Sequence, residues 1–268
     1  MSVGDSVWFI GGLALISACS ACGSKTTSEG AGADARRAEL AATPSLDRGT
    51  TDLSPNFSST TLGGQTTILA ILGDRLLADL LTHPTIELAP SEHLVAVVGG
   101  TRTALEEQIA LVPGTDVLHT QYTVILPIND PGTLVIELDR ADGSILTSTL
   151  NVFAPFQFAT PPPHEVTSGD LVSFTLTPAG GEARTGHWST WCDATADSVY
   201  VSVYYSQVSV DAQGNGILRY DIHLDCDAHL RVLLDGAGSY DPKFFNANEP
   251  SMPPPAAYRA LDTSIHSY

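Results

Sequence analysis

Beyond residue 60 the chain alternates apolar and polar positions with a period of two, in short runs closed by turn residues. That is the pattern of strands with one buried face, not of amphipathic helices. In the first half the clearest runs are Thr66 to Leu72, Leu94 to Val98, Tyr122 to Leu126, Thr133 to Leu138 and Ile145 to Val152. Within one of them Leu134, Ile136 and Leu138 fall on one face, with Val135, Glu137 and Asp139 on the other. Asn129-Asp130-Pro131-Gly132 reverses the chain, and Ala141-Asp142-Gly143-Ser144 predicts a hairpin between two strands. Arg75 to Leu81 fits two readings. Leu76, Leu77, Leu80 and Leu81 have helical spacing, which favours a short helix at the edge, whereas Gly73-Asp74 could turn one strand into another.

Ala154 to Glu165 holds four prolines, which fix an extended backbone unable to join a central strand, so a boundary is expected there. Alternation then resumes over Asp170 to Thr177 and over a long run from Ser198 to Val210. A turn at Asp211 to Gly216 leads into Ile217 to Leu224. Strands every 8 to 12 residues or so in general pattern resemble immunoglobulin-like sandwiches. The expected fold is all-β, with two consecutive β-sandwich domains over 61–153 and 166–235 joined by a Pro-rich linker, 154–165. One larger sandwich is the alternative. Pro242, Pro250 and Pro253-Pro254-Pro255 predict an irregular tail over 236–268, draped on the second domain by Phe244, Phe245 and Tyr258.

The N-terminus has a different grammar. Val7 to Ile16 is an apolar run too short to span a hydrocarbon layer of about 30 Å as a helix. It ends in Ile16-Ser17-Ala18-Cys19, which resembles the lipobox of bacterial lipoproteins. The resemblance implies a signal peptide over 1–18, removal of that segment, acylation of Cys19 and a body tethered to the membrane by lipid. Ser20 rather than Asp follows the cysteine, which by the same resemblance implies the outer membrane of the cell envelope. Residues 19–60 are rich in Ser, Thr, Ala, Gly and Pro and poor in large apolar side chains, so a disordered tether is expected.

Composition narrows the partners. The 268 residues carry 30 acidic and 12 basic side chains, a formal charge of −18, which repels phosphate backbones and argues against nucleic acid. Solubility accounts for this acidity. Calcium binding is the alternative, but Asp139, Asp142 and Gly143 come nearest to a loop motif without completing one. Cys192 and Cys226 in an exported chain are expected to pair, free buried thiols being the alternative.

No Gly-x-Ser-x-Gly elbow, His-Glu-x-x-His pair or phosphate-cradling glycine loop occurs, so no catalytic residue and no cofactor is assigned. The most suggestive cluster is His223, Asp225, Asp227 and His229. On a strand all four share a face and offer nitrogen and oxygen donors to a divalent metal, or form a solvated polar face. Trp188 and Trp191 lie between His187 and Cys192 in an expected long loop, where they either pack against a disulfide or stack on a sugar. The leading expectation is a non-catalytic binding or structural role, with an envelope protein or a glycan as partner. A metal-binding envelope protein and a hydrolase are the alternatives.

Overall fold

The computed structural model describes residues 53–73, 85–111, 118–128, 130–179, 181–192, 206–222, 225–244 and 254–268. The lipobox, most of the expected tether, the 75–81 segment and His223 lie outside the described residues. Every extended element among the described residues is a strand. The first half contributes β1 (Ser54–Leu62), β2 (Gln65–Gly73), β3 (His93–Val98), β4 (Thr101–Ala104), β5 (Glu106–Leu111), β6 (Leu118–Leu126), β7 (Gly132–Asp139) and β8 (Ile145–Val152). After the prolines come β9 (Gln157–Thr160), β10 (Glu165–Val166), β11 (Asp170–Thr177), β12 (Arg184–Cys192), β13 (Ser206–Val210), β14 (Asn215–Tyr220), β15 (Cys226–Gly236), β16 (Gly238–Ser239) and β17 (Ala256–Ser267).

Local chemistry accounts for the hairpins. Between β7 and β8 the Asp142 carboxylate accepts from the Ser144 amide and hydroxyl, at 2.8 and 2.6 Å, while Gly143 takes a φ of 82° that a side chain would resist. The alternation in β7 then decides burial: Leu134, Ile136 and Leu138 are at most 1% exposed, as the sequence predicts. β11 likewise occupies the expected Asp170–Thr177, with Val172, Phe174 and Leu176 inside.

Two cores result. In the first, Phe57, Ile68, Ala70, Leu72 and Tyr122 from β1, β2 and β6 pack against Leu94, Leu134, Ile136, Leu138, Leu146 and Leu150 from β3, β7 and β8. These are two separately hydrogen-bonded sheets face to face, a sandwich. The second core gathers Phe174, Trp188, Val208, Leu218, Leu230 and Ile265 from strands far apart within one sheet, β17-β15-β12-β13-β14-β11-β9. One face can converge in this way only if the sheet curls over itself, so here the two layers are limbs of a single sheet. Trp188 stacks on Tyr220 at 5.2 Å in its middle, and the Cys192–Cys226 disulfide closes the rim.

The structure corrects four expectations. The tether ends sooner than expected, because Ser54 to Thr60 belong to β1; its Ser and Thr side chains hide the strand, whose stability comes from pairing with all of β2 and from Phe57. The linker contains β9, which pairs with β11 as the last strand of the sheet, an edge position that the neighbouring prolines tolerate. Trp188 and Trp191 lie in strand β12, not in a loop.

The largest correction concerns the tail, since Ala256–Ser267 forms an interior strand of the sheet, between β1 and β15. β17 pairs parallel with β1 from Ser58↔Ala256 to Thr61↔Arg259, antiparallel with β15 along its length, and parallel with β10 at Glu165↔His266. Ala257 enters the first core and Ile265 the second. Between them Arg259, 5% exposed, reaches the Phe153 carbonyl at 3.4 Å, while Arg184 lies over the Phe153 ring at 4.2 Å. The junction of the two halves is thus built from strand, not from a free linker.

Candidate functional site

Register on β12, β15 and β17 fixes which side chains share the outer face. Trp188 and Trp191 are an odd number of residues apart, so one points into the core and the other outward. Trp191 pairs across to His229, Ser189 to Arg231, and His187 to Leu233. On the other side Asp227 faces His266, Arg231 faces Asp262, and Asp235 faces Tyr258. Three neighbouring strands therefore set out a polar and aromatic face opposite to the core.

Its centre is Trp191. The Trp191 and His229 rings stack at 5.4 Å with planes 23° apart, and the Arg231 guanidinium lies 4.9 Å from the indole centroid. Arg231 has only 7% of its side chain exposed, which is tolerable because Asp262 takes it in a bidentate pair at 2.7 and 2.8 Å. The indole is therefore held by a desolvated cation that is itself fixed, and its orientation is set before any ligand arrives.

Two imidazole–carboxylate pairs flank this centre. His266 Nδ1 lies 2.8 Å from Asp227 Oδ1, and the His266 ring meets Tyr268 at 4.5 Å. At the other end His187 Nε2 lies 3.5 Å from Asp235 Oδ2. Burial pushes the Asp235 carboxyl above its ordinary value, and the nearby His187 pulls it partly back. Tyr258, opposite Asp235, is pushed up to about 12, by burial first and then by the Asp235 charge.

The sequence-predicted residues divide accordingly. Trp188 is fully buried, so the expectation that it contacts a ligand is corrected: it is a core residue. Trp191 does reach the outer face. Asp227 and His229 share that face as expected, whereas Asp225 precedes the strand and His223 lies outside the described residues. Asp227 is engaged with His266, and among the described residues no three His, Cys, Asp or Glu side chains gather as a metal site. Cys192 and Cys226 are joined, Cα to Cα 6.1 Å, which removes the free-thiol alternative. Sequence reasoning named His187 only as a neighbour of the tryptophans and missed Arg231, Asp262 and His266. Arg231 carried one usable signal, the period-two spacing after Asp227 and His229.

An open depression across β11, β12, β13 and β14 is lined in part by Ser173, Thr185, Ser209, Asp211 and Asn215. Asp211 accepts from the Gln213 and Asn215 amides and from Asn215 Nδ2, bonds that hold its carboxyl below the ordinary value. It is a turn-capping group rather than a poised base.

Together these features define a class: an all-β protein with two cores and a preorganised aromatic and charged outer face. No family model and no curated protein matches the chain. Among solved structures it is similar to the mouse nectin-like molecule 4 ectodomain, Ig1 to Ig3, at 10% identity and TM-score 0.25, over 81% of this chain and 64% of that one. It is also similar to SGBP-B of the Bacteroides ovatus mixed-linkage glucan utilization locus, solved with a mixed-linkage heptasaccharide. That match has 10% identity and TM-score 0.20, over 78% of this chain and 54% of the other. The chain thus spans less than two thirds of either protein, and superpositions this loose transfer no ligand to it.

Proposed function

We propose that this chain is a lipid-anchored protein of the bacterial cell envelope, held at the outer membrane through Cys19, whose body binds rather than catalyses. The lipobox resemblance of Ile16-Ser17-Ala18-Cys19 supports the anchor. The binding role rests on one observation, the Trp191 ring fixed on the outer face by Arg231 and Asp262 among the carboxylates and imidazoles of Asp227, His266, Asp235 and His187.

A sugar ring offers an apolar face of C–H groups edged by hydroxyls, and it is recognised by an aromatic plane beside groups that both donate and accept hydrogen bonds. This face supplies both. The formal charge of −18 disfavours polyanions, so the ligand chemistry is a neutral glycan. The test is a glycan array probed with the body and with Trp191→Ala. Binding to neutral glycans that the substitution abolishes supports the reading; binding that survives it, or none, sinks the glycan assignment. Mass spectrometry of the membrane fraction tests the anchor separately, with an acylated N-terminal Cys19 expected and an unmodified Met1 contradicting it.

A further inference from the structure

We infer that β1 and β17 form a shear clamp, through which pull on the tether is resisted along the strand axes. The inference goes beyond the binding role and rests on register. Ser54 is the first residue of β1, so a pull on the chain that precedes it drags the strand backward along its own axis. Beside it β17 runs parallel, paired from Ser58↔Ala256 to Thr61↔Arg259, and then continues into the second half beside β15 as far as Cys226↔Ser267. A load between the tether and the second half therefore pulls two parallel neighbours in opposite directions.

In that geometry every hydrogen bond linking β1 to β17 bears force at once. So do those linking β1 to β2, whose register runs from Ser54↔Gly73 to Leu62↔Gln65. Each such bond contributes only about 1 kcal/mol net, so simultaneous loading is what makes the set strong. Phe57 adds a second brake. It is 1% exposed, lies 5.7 Å from both Tyr240 and Phe244, and its amide donates to the Tyr240 hydroxyl at 3.2 Å. β1 cannot slide without withdrawing that ring. Pulling β1 and β17 apart from their common starting end would instead peel the parallel ladder one bond at a time.

Single-molecule force spectroscopy separates the two geometries on one chain. The chain from Cys19 onward, unlipidated and carrying Cys22→Ser, takes one handle at Cys19. The second handle is placed either after Tyr268, at the far end of β17, or at exposed Pro254→Cys, just before its start. The Cys192–Cys226 disulfide is kept intact, and urea denaturation confirms that both handle variants are equally stable. The clamp predicts a severalfold higher rupture force for the Tyr268 handle than for the Pro254 handle. Equal forces, or a weaker Tyr268 geometry, would overturn it. The glycan array measures binding without load, so a failed clamp leaves the binding proposal standing, and the converse holds.

Discussion

Trp188 and Trp191 stand three residues apart on the same strand and do opposite work. On the inner face of β12, β15 and β17 lie Trp188, Leu230, Val232 and Leu234, all at most 1% exposed, contributing area removed from water. On the outer face lie His187, Trp191, His229, Arg231 and Asp262, joined by ring stacking and ion pairs. The parity of a strand position, more than residue type, separates the tryptophan that holds the fold from the one that can meet a ligand.

The largest effect expected from breaking this contrast is on the inner face. Trp188→Ala removes a fully buried ring stacked on Tyr220 and is expected to cost about 3–5 kcal/mol, read as a lower urea midpoint. Next is the rim, where Cys192→Ser with Cys226→Ser frees a loop of sequence separation 34. It should cost roughly 3–4 kcal/mol in the same measurement, the loss vanishing when wild type is compared under reducing conditions.

Arg231→Ala leaves the Asp262 carboxylate without its partner and uncovers the indole. A loss of about 1–3 kcal/mol is expected, together with a shift in Trp191 fluorescence. Trp191→Ala should cost only about 1 kcal/mol while removing ligand binding. A drop as large as that of Trp188→Ala would erase the distinction between the faces.

Alkali sharpens the same contrast. Tyr258 is raised from 10.0 to about 12, so the folded state holds its proton more tightly than the unfolded chain. Stability is then full below pH 10 and declines as pH rises toward 12. Denaturation midpoints across that range should fall in wild type and fall less in Tyr258→Phe.

How much of this was legible in the sequence depends on how local the cause is. The β7–β8 hairpin was readable because Asp142-Gly143 and the flanking Leu and Ile positions carry the instruction within a few residues. β1 was not, since Ser58, Ser59 and Thr60 read as tether until β2 is there to pair with them. β17 was least legible: Ala256 to Ser267 follows a proline run and lacks a clean apolar alternation, and its partners begin at Ser58, Glu165 and Cys226. The site inherits that blindness. Asp227 and His229 could be named from β15 alone, but Asp262 and His266 join them only through the β15–β17 register. Trp191 could have been told from Trp188 by parity once the segment was read as a strand.

In the proposed division of labour the inner face stabilises and the outer face binds. The direct test measures urea midpoint and glycan-array signal for Trp188→Ala and Trp191→Ala side by side. A large midpoint drop is expected for the first, and for the second a nearly unchanged midpoint with the array signal lost. A Trp191→Ala protein that binds as wild type does, or that unfolds as readily as Trp188→Ala, would contradict it.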